Sequence, residues 1–146
     1  MNETLKLKGS LILVNKKADG TVEVRRKDNL ILNAGFDFIA DAIGNPNREA
    51  VMSYIAVGSG NAVVSGSQTA LVSELGRKSA TYSHTKGTKT FAIETTFSKG
   101  EATGALVEAG VCNASSGGTF LDRVTFDVNN KGIDDEISVT FLFTMS

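Results

Sequence analysis

Residues 137–145 have the sequence Ile-Ser-Val-Thr-Phe-Leu-Phe-Thr-Met. Apolar residues occupy every second position, and most of the positions between them carry hydroxyl side chains. Side chains that alternate in this way lie on opposite faces of a β-strand, with the apolar set toward a core. The segment therefore predicts a strand that places Val139, Phe141 and Phe143 in the core.

The same two-residue period recurs upstream. Phe91, Ile93 and Phe97 alternate with small or polar residues and are further predicted core residues. Residues 5–27 alternate on both sides of Asp19-Gly20, a dipeptide typical of hairpin turns, so we predict an N-terminal β-hairpin there, with a bulge or bend at Gly9-Ser10. Short strands and glycine-rich turns at intervals of about ten residues indicate an all-β fold. We expect an antiparallel, jelly-roll-like β-sandwich of roughly seven to nine strands, forming one domain over residues 1–146.

One segment has a helical period instead. Asn33 is a candidate N-cap and Gly44 a candidate helix stop, so a short helix is predicted over residues 34–43. A shorter helical turn is predicted over residues 69–75. The expected buried face of the main helix consists of Phe36, Ile39, Ala40 and Ile43.

The charge balance argues against a nucleic-acid partner, because the chain as a whole has a net charge of −1. The charge is nevertheless uneven. Residues 1–27 hold seven basic and three acidic residues, a net +4, whereas the remainder holds eight basic and thirteen acidic residues, a net −5. This asymmetry is typical either of a solvated strand face or of a basic patch that meets an acidic protein.

Residues that could carry chemistry are few. Cys112 is the only cysteine and His84 the only histidine, so neither an internal disulfide nor a histidine-based metal site is expected. Gly58-Ser59-Gly60 follows a predicted strand, but position 63 is Val, so the segment lacks the third glycine of a dinucleotide-binding loop. We therefore expect no enzyme activity and no cofactor. No apolar segment near the start matches a signal peptide, and none is long enough for a membrane span, so no membrane association is expected.

Glu108 stands inside the apolar segment 105–112. A buried carboxylate is costly unless it is paired. The alternatives are an edge position, an ion pair with Arg77 or Arg123, or a contact between subunits.

Several short motifs follow one another in a recognisable order. They are Asn33-Ala34-Gly35-Phe36, Ile55 to Gly60, Thr69-Ala70-Leu71 with Glu74 and Arg77, Glu108-Ala109-Gly110-Val111, and Asp122 to Phe126. This order resembles a group of small virion proteins of tailed bacteriophages, labelled tail-fibre, tail-collar or head-decoration proteins. The resemblance implies a β-sandwich without catalytic residues that is assembled into a virion in the host cytoplasm.

Three functions remain open at this point. The first is a capsid decoration or cement protein that binds the major capsid protein. The second is a tail component at a fibre, collar or baseplate. The third is a carbohydrate-binding module, although such modules stack sugars on aromatic residues and this chain has no Trp and only Tyr54 and Tyr82. We expect a homo-oligomer or many copies on a particle, with an interface drawn from Lys6, Lys8, Arg25 and Arg26 of the hairpin and from Gly58, Ser59 and Gly60 of a flexible loop.

Overall fold

A computed structural model describes residues 4–146 of the chain. Two five-stranded antiparallel sheets carry the fold, which confirms the predicted all-β sandwich with one short helix. Each sheet has one strand more than the sheets of an eight-stranded jelly roll, and the total exceeds the predicted seven to nine strands. The elements are β1 (Leu7–Lys16), β2 (Val22–Asp28), β3 (Leu30–Ile31), α1 (Asn33–Gly44), β4 (Tyr54–Gly58), β5 (Glu74–Ser79), β6 (Thr81–His84), β7 (Thr90–Phe97), β8 (Gly104–Cys112), β9 (Asp122–Lys131) and β10 (Glu136–Met145).

Sheet 1 has the strand order β2-β1-β10-β7-β6, and sheet 2 has the order β3-β9-β8-β4-β5. On each side of the sandwich the chain passes from one sheet to the other with a single residue between strands, Asn29 between β2 and β3 and Ala80 between β5 and β6. Strands that switch sheets in this way form the corners of a sandwich.

The core lies between the sheets. Ile93, Phe97, Val139, Phe141 and Phe143 are all buried, as the alternating patterns predict. Phe91 is only half-buried, which departs from its predicted core position, because it lies at an open end of the sandwich. The expected bulge at Gly9-Ser10 is also absent, since β1 pairs with β10 in unbroken register from Leu7 to Lys16.

Helix α1 turns a different face to the core from the one predicted. Phe36 is 52% exposed and Ile43 is 79% exposed, while Gly35 is buried. A Cβ at position 35 would overlap the carbonyl oxygen of Leu121. This close approach of two backbones positions the start of the helix. The buried face is therefore displaced by one residue from the predicted face and consists of Gly35, Phe38, Ile39 and Ala42.

The structure corrects two local predictions, the helix N-cap and a second helical turn. Asn33 is the first helical residue and not its N-cap; Leu32 holds the cap position without a side-chain bond. The predicted helical turn over residues 69–75 is absent, because the chain crosses sheet 2 as a loop and enters β5 at Glu74. Glu74 and Arg77 form an ion pair on this strand, with Nη2 of Arg77 2.7 Å from Oε1 of Glu74.

Candidate protein interface

Glu108 and Arg123 form a fully buried ion pair on adjacent strands of sheet 2. Nε of Arg123 donates to Oε1 of Glu108 over 2.9 Å. The same carboxylate accepts three backbone N–H groups, from Gly60, Val72 and Ser73, at 2.7 to 2.8 Å. Each carboxylate oxygen of Glu108 therefore has two hydrogen-bond partners, which offsets the cost of burying the charge.

The loop of residues 59–73 is fastened over this pair. Arg123 donates to the carbonyl oxygens of Gly60 and Ala62 and to the side chain of Gln68. Gly58 and Gly60 are buried, and a Cβ at position 60 would lie 2.5 Å from Oε2 of Glu108. The two glycines are thus required by close packing, and only Ser59 of this predicted interface segment is partly open to a partner. The expectation of a flexible loop does not fit these contacts.

Asp122 lies next to this pair in β9 and is also buried. It accepts the backbone N–H of Val111 over 2.8 Å and a hydrogen bond from the side-chain amide of Asn29. Burial raises the pKa of the Asp122 carboxyl to about 8, and the two hydrogen bonds act in the opposite direction. Asp122 thereby links the β2–β3 corner to β8.

The single histidine and the single cysteine of the chain, His84 and Cys112, lie on different sheets. His84 is exposed in β6, where Nδ1 lies 2.6 Å from the carbonyl oxygen of Thr90. Cys112 is buried in β8 of sheet 2, and burial raises the pKa of its thiol to about 11. A thiol with this pKa is overwhelmingly protonated near neutral pH and is a poor nucleophile.

The four basic residues predicted at the interface do not share one surface. Lys8 and Arg26 are exposed on the outer side of sheet 1, and Lys6 is exposed just before β1. Arg25 points to the opposite side, toward β9, where it donates to the carbonyl oxygens of Asp127 and Val128. Arg25 thus closes the side of the sandwich, while Lys6 and Lys8 are open to a partner.

An apolar groove, which we call the helix-end groove, opens at one end of the sandwich. It has a volume of about 470 Å³ and lies between helix α1 and the end of sheet 1. Val51, which is 74% exposed, lies at its mouth. The helix contributes Phe38, Ile39 and Ala42, and the sheet contributes Leu7, Phe91 and Met145.

The lining of the groove carries no charged residue. Lys6 and Lys8 are the chain neighbours of the lining residue Leu7, but successive side chains of a strand point to opposite sides of the sheet. Lys8 therefore lies on the outer side of sheet 1, away from the groove. The groove is thus an apolar surface.

Sequence patterns missed the groove because its lining comes from separate segments that meet only at one end of the sandwich. One signal was present: Gly35, Phe38, Ile39 and Ala42 have the same helical spacing as the face chosen from the sequence, displaced by one residue.

Over residues 4–146 the structure brings together no group of three His, Cys, Asp or Glu side chains that could hold a metal ion. The one helix in this part of the chain falls well short of the length needed to cross a membrane.

Comparison of the chain with protein-family models, with curated proteins and with solved structures found no match. The likeness to phage virion proteins therefore rests on the order of the motifs in the sequence, and those motifs converge on the buried Glu108–Arg123 network and the loop that it holds.

Proposed function

We propose that this protein is a non-enzymatic structural protein of a tailed-phage virion, which decorates the capsid by binding the major capsid protein through the helix-end groove. The observation that carries the proposal is the groove itself. Partly exposed apolar residues that form a continuous surface are typical of sites that bind another protein.

The resemblance supports the same assignment from another direction. The residues that carry it have architectural roles: Gly35 seats the helix on Leu121, and Glu108 and Arg123 fasten the long loop. A rigid scaffold with its interaction surface at one end suits a small protein that clips onto a larger assembly.

The lining indicates the chemistry of the partner. It is apolar, so an apolar ridge on the capsid surface would enter the groove. A single contact of this size binds modestly, but many copies on a capsid lattice present the same surface repeatedly.

Co-sedimentation with purified particles of the phage that encodes the chain tests the proposal. Particles that lack the protein are mixed with the wild type or with Val51→Asp. Val51 is 74% exposed, so the fold should survive this change. We expect saturable binding of the wild type and binding weakened about tenfold or more in the variant, because its carboxylate would lose water in an apolar contact.

The matched control is Val63→Asp, the same substitution at a valine that is 87% exposed and lies outside the groove lining. It should bind within about threefold of the wild type, a difference of well under 1 kcal/mol. Binding of Val51→Asp equal to that of the wild type would show that the groove does not bind the particle. Failure of the wild type to bind any part of the particle would contradict the virion assignment. Electron micrographs that show the labelled protein on tails would favour a tail component.

A further inference from the structure

Sheet 1 has an uncovered outer face. In sheet 2, the loop of residues 59–73 packs over the outer side, with Leu71 against Ala56, Cys112 and Phe120. No segment of residues 4–146 does the same for sheet 1, and Val22, Val24 and Leu142 are 40 to 56% exposed. We refer to the residues that alternate outward from sheet 1 as the outer face.

The centre of the outer face carries only short, uncharged side chains. The register aligns Ser10 with Leu142, Ile12 with Thr140, and Val14 with Ser138. The charged residues stand around this centre, on the outer strands or at the strand ends: Lys8, Lys16, Arg26, Asp28, Glu94 and Glu136. An uncharged centre inside a charged rim is the arrangement of a protein interface.

Two of the rim charges have opposite signs and stand in one row across the sheet. Arg26 pairs with Ile12, Ile12 with Thr140, and Thr140 with Glu94. Three strand spacings, about 14 Å, separate Arg26 from Glu94. Neither residue belongs to any of the ion pairs formed in the described chain.

We propose that the outer face of sheet 1 binds the same face of a second copy of this chain, around a two-fold axis that runs parallel to the strands above the boundary between β1 and β10. This axis places β2 over the partner's β7 and β1 over its β10. Each row of residues that pair across the strands of sheet 1 then lies opposite the same row of the second copy. Arg26 then meets the second copy's Glu94, and Lys16 meets its Glu136, each contact occurring twice.

The same arrangement opposes no like charges. Asp28 meets Ala92, Lys8 meets Thr144, and the apolar Ile12 and Leu142 meet Thr140 and Ser10 of the second copy. Packed sheets rotate by about 30° relative to each other, a displacement that long Arg and Glu side chains can span. The surface is therefore complementary to itself.

The area is adequate for a reversible dimer. Four strands of about ten residues cover on the order of 600 Å² per copy. Specific interfaces bury about 600 to 1,000 Å² per partner, so this one lies at the lower end of the range. We expect dimers whose population rises with concentration and falls with salt.

The inference goes beyond the proposed function, because the outer face and the helix-end groove are separate surfaces. Sedimentation velocity of the full chain over a range of concentrations is the test, with Arg26→Glu, Glu94→Arg and the double variant Arg26→Glu/Glu94→Arg. Each single variant opposes like charges twice, so we expect dimerisation weakened about tenfold or more. The double variant restores both pairs and should return to within about threefold of the wild type.

Lys99→Glu, a charge reversal at an exposed position outside the outer face, is the control and should not change the dimer. Recovery in the double variant cannot come from within one chain, because the two residues stand too far apart to pair there. A wild type that stays monomeric at all concentrations overturns the inference. A dimer whose affinity is unchanged in both single variants also overturns the inference, as does a dimer that the groove variant Val51→Asp abolishes. A loss of particle binding without a loss of the dimer does not contradict the inference.

Discussion

Glu108 and Arg123 hold together the part of the molecule where β8, β9 and the loop of residues 59–73 meet. The sequence predicted that a carboxylate in the apolar segment 105–112 needs a partner and named Arg123 as one of two candidates, and the structure contains that pair. The backbone bonds from Gly60, Val72 and Ser73 were beyond sequence reasoning, because they depend on how a long loop crosses the sheet.

Glu108→Gln should reduce the free energy of unfolding by about 3 to 5 kcal/mol. The amide would turn an N–H group toward backbone donors and leave the Arg123 guanidinium buried without a counter-charge. Urea denaturation gives the measurement. Glu101→Gln is the control, because the Lys78–Glu101 pair is 33% and 43% exposed, and its loss should cost under about 1 kcal/mol. Similar small losses in both variants would show that the buried pair does not hold the fold.

Asp122 should make stability fall as the pH rises. Burial raises its pKa to about 8 in the folded protein, against about 4 in an unfolded chain. Between these values the folded state binds more protons than the unfolded state, so the free energy of unfolding falls with rising pH, by up to about 1.4 kcal/mol per unit. The effect is absent below about pH 4 and complete above about pH 8.

The difference between the wild type and Asp122→Asn isolates this contribution, because other carboxylates titrate alike in both. Asp122→Asn should gain stability relative to the wild type as the pH rises from about 4.5 to 8. Urea denaturation at a series of pH values measures the difference, and a constant difference would mean that Asp122 is ionised throughout.

At the scale of elements, the strand predictions succeeded where one periodicity dominates. Alternation in residues 137–145 and 91–97 placed Val139, Phe141 and Phe97 in the core because a strand offers only two faces. A helix offers a continuous range of faces, so spacing alone could not separate the set that contains Phe36 from the set that contains Phe38. The contact of Gly35 with Leu121, residues far apart in sequence, decides between them.

Gly35→Ala tests whether this backbone contact positions the helix. The new methyl group would overlap the Leu121 carbonyl, so the helix must shift, at a cost of about 1 to 3 kcal/mol. Gly44→Ala in the same helix is the control, because nothing lies within 4 Å of a Cβ there. Alanine's helix propensity should leave that variant unchanged or up to about 1 kcal/mol more stable. Thermal and urea unfolding compare the two, and equal effects would mean that Gly35 does not position α1.

At the scale of the whole molecule, two surfaces remain open on a closed scaffold. The helix-end groove presents apolar side chains, and the outer face of sheet 1 presents an uncharged centre between Arg26 and Glu94. The sequence indicated a basic hairpin interface, but strand register places Lys8 and Arg26 on the outer face and Arg25 on the closed side of the sandwich. Sequence order could not reveal that division, because it depends on which strands become neighbours.

Cryo-electron microscopy of intact particles of the phage that encodes the chain tests the central claim most directly. We expect repeated density on the outside of the capsid that fits this ten-stranded sandwich, with helix α1 and Val51 directed at the major capsid protein. Particles without such density, together with absence of the protein from their mass spectra, would contradict it.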